Sequence, residues 1–404
     1  MPLSSLNPVT EFSPKKFAYN TQFWLLCLSS LLFFASFNMM IPELPFHLTK
    51  LGGADYKGLI ISLFTLTAMI SRPFSGKLAD KLGRKPVILA GSVVCVASSL
   101  VYPMLTTVYG FLLLRLIHGF STGFTPTGQA AYLSDVIPAN RRGEAMGLLG
   151  TAGTLGMSGG LAIGPWMTSA VSVNAMFYLS ACFALMSAGI VLSIRETIPH
   201  RHAVSWRLLE VHRRDLFEPR VLVPCLIMVM TAYAYGNLFT IIPDFGLHVG
   251  IPKEDSGLLF AYFTLASLMV RLIGGKASDI FGRVAVLRVS TVLLMTGMIW
   301  IGMSTSPNML IMGAFVYGLA QGATSPTLLA WAADLSDPEH KGRGVASLYI
   351  FMEFGIGMGA LLSGFLYGNN ASNFLLTFGV SAVLSGISFI YLWTSPVRRV
   401  MNGV

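Results

Sequence analysis

The chain has 404 residues, 54% of them hydrophobic and only 11% charged, with a mean hydropathy of +0.67. A water-soluble domain clothes its surface with about 25% charged residues, so this composition excludes a soluble exterior and points to lipid as the solvent. The formal charge of +9 would suit a nucleic-acid binder, but its distribution along the chain excludes that use.

A lipid-crossing helix takes about 20 apolar residues. Stretches of that kind recur at 23–41, 87–105, 176–194, 286–303 and 374–393. Laid end to end, the pattern predicts an all-α membrane protein of twelve spans, near 21–46, 56–79, 86–105, 109–133, 143–168, 174–194, 220–246, 256–278, 284–303, 308–333, 343–367 and 372–395. The segment up to Asn20 has no cleavable signal pattern, so the first span is expected to be retained. Cys27, Cys95, Cys182 and Cys225 all fall within spans, without metal-ligand spacing. They read as small packing residues, with neither a metal site nor a disulfide framework.

Only Lys50, Lys57 and Lys253 fall in odd-numbered connections, and Arg72, Arg115 and Arg271 lie inside spans. The rest of the 27 Lys and Arg, such as Lys81, Arg84, Lys85, Arg141 and Arg398, sit in even-numbered connections or the termini. That asymmetry predicts a multi-pass inner-membrane protein with both termini in the cytoplasm.

The two halves repeat. At an offset of 199, Thr65, Arg72, Gly76, Lys77, Asp80, Gly83 and Arg84 match Thr264, Arg271, Gly275, Lys276, Asp279, Gly282 and Arg283. The same offset pairs Gly119 with Gly318, Gly123 with Gly322, Asp135 with Asp334 and Gly143 with Gly342. The expected domains are a six-helix bundle over 1–194, a basic linker over 195–219 and a second bundle over 220–404. Parallel repeats of this kind are a transporter design, with the substrate site between them near the midplane.

The stretch Gly76-Lys-Leu-Ala-Asp-Lys-Leu-Gly-Arg-Lys85 resembles the loop signature of the major facilitator superfamily, and Gly275 to Arg283 resembles its degenerate second copy. Arg115-Leu-Ile-His-Gly119 is similar to the fourth-helix signature. Asn38-Met-Met-Ile-Pro-Glu-Leu-Pro45 resembles the first helix of bacterial drug and sugar efflux permeases, which often carry aspartate where Asn38 stands. Gly160-Leu-Ala-Ile-Gly-Pro165 is similar to the antiporter signature, but Met167, Thr168 and Ser169 occupy the place of its next glycine pair. The resemblance implies twelve helices in two pseudo-symmetric bundles and a proton-coupled efflux antiporter for a drug, sugar or amphipathic metabolite. Proton-coupled nutrient uptake or facilitation is the alternative, and a non-transporting membrane sensor is the alternative of another class. No long loop supports the sensor.

The resemblance further implies a gate in which Asp80 faces a helix N-terminus of the other half and Arg84 reaches Asp135. Gly76 and Gly83 belong to that cluster, and Asp279, Arg283 and Asp334 repeat it. It is expected to latch the halves together and to break on opening. Its competitor is a solvated loop that only sets topology.

Glu353 lies mid-span, where a lone acid costs about 2.5–3.5 kcal/mol, so it should face protein or a cavity together with Gly357, Ala360 and Gly364. It is a candidate to carry a proton, to meet a cationic substrate or to pair with an arginine. Arg115 reads as a packing cation on backbone carbonyls, a counter-charge for the acid or an anchor for an anionic substrate. His118 reads as a packing histidine. Pro42-Glu43 with His47 recurs as Pro243-Asp244 with His248, each proline interrupting its helix, as an outer gate, proton relay, cation site or plain helix end. Gly150, Gly153, Gly156, Gly160 and Gly164 form one smooth stripe, and Gly164-Pro165 offers a hinge. Asn38, Tyr233, Tyr235, Asn237, Tyr262, Tyr317, Gln321 and Tyr349 are candidates to line the cavity.

No serine elbow, metal cluster or phosphate loop is present in the sequence, which argues against an enzyme or an ATP-driven pump. The expected partners are a small-molecule substrate, protons and lipid, with no cofactor and no nucleic acid, in a monomer.

Overall fold

The computed structural model describes residues 19–138, 142–198, 217–336 and 341–394. Most of the expected linker, including Arg201, Arg213 and Arg214, lies outside the described residues, as do Arg141 and Arg398. The first bundle contains α1 (Thr21–Asn38), α2 (Leu44–Lys50), α3 (Lys57–Leu82), α4 (Arg84–Val101), α5 (Val108–His118), α6 (Phe120–Val136), α7 (Arg142–Ala170) and α8 (Val173–Ser193). The second contains α9 (Leu222–His248), α10 (Ser256–Phe281), α11 (Arg283–Gly302), α12 (Pro307–Leu335), α13 (Lys341–Tyr367) and α14 (Phe374–Tyr391).

Among the described residues, 9 helices are long and apolar enough to cross a membrane, or 10 if Ser256–Arg271 and Ile273–Phe281, bent by 41°, count as one. The expected fourth and tenth spans are helical but stand apart from that count. The fourth is broken at Gly119 into pieces of 11 and 17 residues. The tenth is 29 residues long but carries Gln321, Thr324, Ser325 and Thr327 along its length.

Local chemistry sets the helix ends. Asn20, Thr107 and Ser172 accept backbone N–H bonds at the starts of α1, α5 and α8, at 2.9, 3.2 and 3.1 Å. Pro42 breaks the first span, because Pro45 follows it and two missing N–H donors in four residues leave little of the helical ladder. Pro243 does not break its span as the sequence suggested: α9 runs through it for 27 residues. A single missing donor is tolerated there, with the helix held by packing on its neighbours.

Inside the first bundle, serine hydroxyls stitch α1 to α8: Ser36 donates to the Ser180 carbonyl at 2.8 Å and Ser187 to the Ser29 carbonyl at 2.8 Å. The glycine stripe of α7 lies on α1. A Cβ at Gly156, Gly160 or Gly164 would strike the carbonyl of Leu31, Ala35 or Met39. Gly150 departs from the stripe and faces Arg271. α7 continues unbroken past Gly164 and Pro165 to Ala170.

The bundles meet where α3 packs on α13 and α7 on α10. Gly58 abuts the backbone of Ala360 and Gly364, and Gly257 abuts Leu161 and Ala162. These contacts lie toward the end that carries α2, called here the far end. The opposite, basic end carries the corners between α3 and α4 and between α10 and α11.

Candidate functional site

A cavity of about 1010 Å³ lies between the bundles. Lys77, Asp80, Ser134 and Arg343 rim it at the basic end, and it runs past Arg72, Tyr349 and Glu353 to Phe37, Ile41 and Arg115. Aromatic and aliphatic side chains make up most of the remaining wall.

The cavity contains an ion pair between the bundles. Arg72 Nη2 donates to Glu353 Oε1 at 2.5 Å, with the two side chains 12% and 8% exposed. The Arg72 guanidinium also lies over the Tyr349 ring at 4.9 Å, while its Nε has no hydrogen-bond partner among the described residues. Each ion relieves the other's burial penalty. Of the three readings of Glu353, the structure displays the arginine partner, but inside a cavity and across the two bundles. The small face expected beside Glu353 packs on α3, with Gly357 against Thr65 and Gly364 against Gly58.

The repeat makes this pair informative. At the offset that relates Arg72 to Arg271, Glu353 corresponds to Thr154. Thr154 turns its hydroxyl back to the Gly150 carbonyl at 2.9 Å. Arg271 therefore lacks the acid its twin has, and its buried Nε has no hydrogen-bond partner among the described residues. Tyr235 and Tyr349 are its electrostatic neighbours.

Arg115 is 2% exposed. Its Nε donates to the Ile60 carbonyl at 2.9 Å, its Nη1 to the Tyr102 hydroxyl at 3.3 Å, and its guanidinium lies over Phe64 at 4.4 Å. These contacts hold it as a packing cation, but it also lines the cavity and pairs with no carboxylate among the described residues. His118 is buried between Tyr102 and Cys95, in a packing position.

At the far end two ion pairs cross between the bundles. Glu43 of the first pairs with Lys253 of the second at 2.8 Å, and Lys57 of the first pairs with Asp244 of the second. Neither lysine stood out in the sequence. Each looked like an ordinary charge of an odd-numbered connection, and only the docking of the bundles supplies its partner. Arg72 was visible as an intramembrane charge, which is the signal that should have marked it.

At the basic end, Arg84 pairs with Asp80 and, at 3.0 Å, with Asp135; Arg283 pairs with Asp279 and, at 2.9 Å, with Asp334. Both corners turn on glycines, Gly83 and Gly282, at φ values of +113° and +86° that side chains rarely adopt. The corner separates two helices, so Asp80 and Arg84 meet across a turn and not along one helical face. All these bridges stay within a bundle, and they are intact although the cavity reaches this end. Arg84 with Asp135 and Arg283 with Asp334 therefore each join residues of one bundle. Glu196, missed in the sequence, accepts the backbone N–H groups of Arg84 and Lys85 at 3.0 and 3.1 Å and caps α4.

Of the lining candidates, Asn38, Tyr235 and Tyr349 are in the cavity wall. Asn237 instead ties α9 to α14 through the Thr377 carbonyl and the Ser381 hydroxyl, at 3.0 and 2.7 Å. Tyr317 is buried against Phe263, Tyr233 packs its backbone on Gly359, and Tyr262 is exposed. Gln321 is likewise outside the wall. Periodicity places these residues mid-span without saying which side of the helix meets the other bundle.

The sequence pattern of the Major Facilitator Superfamily matches residues 26–235 and 224–402. "Multidrug resistance protein MdtG" of Salmonella arizonae is 26% identical over 386 residues, covering 90% of this chain and 93% of that protein. The human organic anion transporter MFSD10 has a similar structure, with a TM-score of 0.72 at 20% identity over 93% of this chain and 100% of that one. A bacterial homologue of the lysosomal transporter Spinster, in an inward-facing and unoccupied conformation, gives 0.75 at 14% identity over 92% and 95%. The chain belongs to the major facilitator superfamily, a family of membrane transporters and not of enzymes.

Proposed function

We propose that this chain is a proton-coupled efflux antiporter for a small amphipathic molecule, working by alternating access with both termini in the cytoplasm. The observation that carries the reading is the Arg72–Glu353 pair, which joins the bundles inside a cavity whose wall is mostly aromatic and aliphatic. Protonating Glu353 cancels its charge and loosens the tie between α3 and α13, so proton occupancy biases one arrangement of the bundles over the other. The crossed pairs Glu43–Lys253 and Lys57–Asp244 serve as the outer gate, and the basic-end corners stiffen each bundle while it moves. The likeness to MdtG supports the direction.

Symport is the second reading. One observation favours it: Arg115 and Arg271 have no acidic partner among the described residues, and surplus positive charge lets an anion and a proton share the cavity. The test uses purified protein in liposomes with an internal pH dye and a panel of amphipathic ions, sugars and metabolites. Antiport moves protons against the substrate, and Glu353→Gln abolishes that movement while counterflow exchange persists. Proton movement in the substrate's own direction assigns symport. A Glu353→Gln protein that still concentrates substrate as well as wild type removes Glu353 from the coupling.

A further inference from the structure

We infer that the substrate is an amphipathic organic anion, an acid group of the carboxylate or sulfonate class on an apolar body, with Arg115 as its charge anchor. This rests on the transport reading and narrows it to a chemical class. Beyond the rim of Lys77, Asp80 and Arg343 at the basic end, the described charges in or beside the cavity are Arg72, Arg115, Arg271 and Glu353. Glu353 neutralises Arg72. Two positive charges remain without an acid, in a medium where unpaired ions are costly and field lines are poorly screened.

Arg115 is the one of these two that lines the cavity. Its Nε and Nη1 are engaged by Ile60 and Tyr102, while Nη2 has no partner among the described residues and remains free for an acid oxygen. A guanidinium suits a planar or multidentate oxyanion better than a point charge would. Arg271 strengthens the case through the repeat. Its twin Arg72 meets Glu353, but the matching position is Thr154, so the chain omits an acid where its own symmetry would place one. A cationic substrate would meet this surplus, and the two described carboxylates in the cavity wall, Glu353 and Asp80, are already paired with Arg72 and Arg84. Phe37, Phe64, Phe239, Ile61 and Met157 supply an apolar wall for the body of the molecule.

An anion here and a proton on Glu353 favour one another, so tight anion binding would also move weight toward symport.

The experiment compares three probes with one ring system, naphthalene-1-sulfonate, 1-naphthylmethanol and 1-naphthylmethylammonium, on full-length protein in lipid nanodiscs with empty nanodiscs as baseline. The sulfonate is expected to bind about tenfold tighter than the ammonium, with the alcohol between. Arg115→Gln lowers sulfonate affinity about tenfold and the alcohol's less than about twofold. Thr154→Glu, which restores the missing acid beside Arg271, also weakens the sulfonate, and Glu353→Gln tightens it. These two variants and the wild-type comparison keep the test intact should Arg115→Gln not fold. Tighter binding of the ammonium, or sulfonate affinity unmoved by Thr154→Glu and Glu353→Gln, overturns the inference. Counterflow of the same probes in liposomes separates the two levels. Exchange of the alcohol or ammonium without sulfonate binding leaves transport standing and removes the anion. Sulfonate binding without exchange of any probe keeps the anion site and removes transport.

Discussion

Glu43, 1% exposed in the first bundle, is held at 2.8 Å by Lys253 of the second. The mirror contact, Lys57 with Asp244, runs the other way across the pseudo-twofold. Both pairs thus cross between the bundles at the far end, and under the proposed outer gate each separates before that end opens. Replacing both acids, Glu43→Gln with Asp244→Asn, is expected to shift the balance toward the opposite arrangement. About 1–3 kcal/mol of bias corresponds to roughly 5- to 150-fold in the population ratio. Spin-label distances across the far end measure it, and an unchanged distribution would remove the gate assignment.

Arg72 and Glu353 are each other's main compensation. Arg72→Gln or Glu353→Gln alone leaves one buried charge unpaired, a loss of about 3–5 kcal/mol where a buried pair is broken. The double variant removes both charges and should recover most of the lost thermal stability. Losses that simply add would mean that the pair is not coupled in the folded protein.

Glu218, just ahead of α9, accepts from Arg343 Nη2 and Nε at 2.5 and 3.1 Å. The Arg343 guanidinium holds its carboxyl below the ordinary glutamate range, against a smaller opposing effect of burial. A carboxyl with a depressed folded value stabilises the fold above the unfolded value of about 4.3 and loses that contribution as pH falls through the folded value. Melting curves between about pH 6 and 3 should therefore drop less steeply for Glu218→Gln than for wild type. Parallel curves would show that the contact contributes nothing.

Gly164 packs so closely on α1 that an added Cβ would strike the Met39 carbonyl, whereas a Cβ at Gly159 on the same helix meets nothing within 4 Å. Gly164→Ala is expected to destabilise by about 1–3 kcal/mol. Gly159→Ala should be neutral or slightly stabilising, since alanine is the better helix former. Thermal unfolding of both proteins decides this, and equal behaviour would deny the close approach of the two helices.

Composition, apolar run length and the offset of 199 determined the membrane class, the helical architecture and the duplicated halves. These follow from the bilayer's thickness and from chain-local chemistry, which one strand of sequence carries in full. The paired Gly–Arg corners were legible for the same reason, because Asp80, Gly83 and Arg84 lie within five residues of one another. The partner of Glu353 and the lysines of the far-end pairs were decided only when the bundles docked. Those contacts join residues 187 to 281 positions apart, and helical periodicity gives each side chain an angle around its own axis but not the helix it will meet. The sorting of the tyrosines had the same origin. Tyr235 and Tyr349 entered the cavity and Tyr317 the core because of which helix lay opposite, and that is a property of the assembled fold.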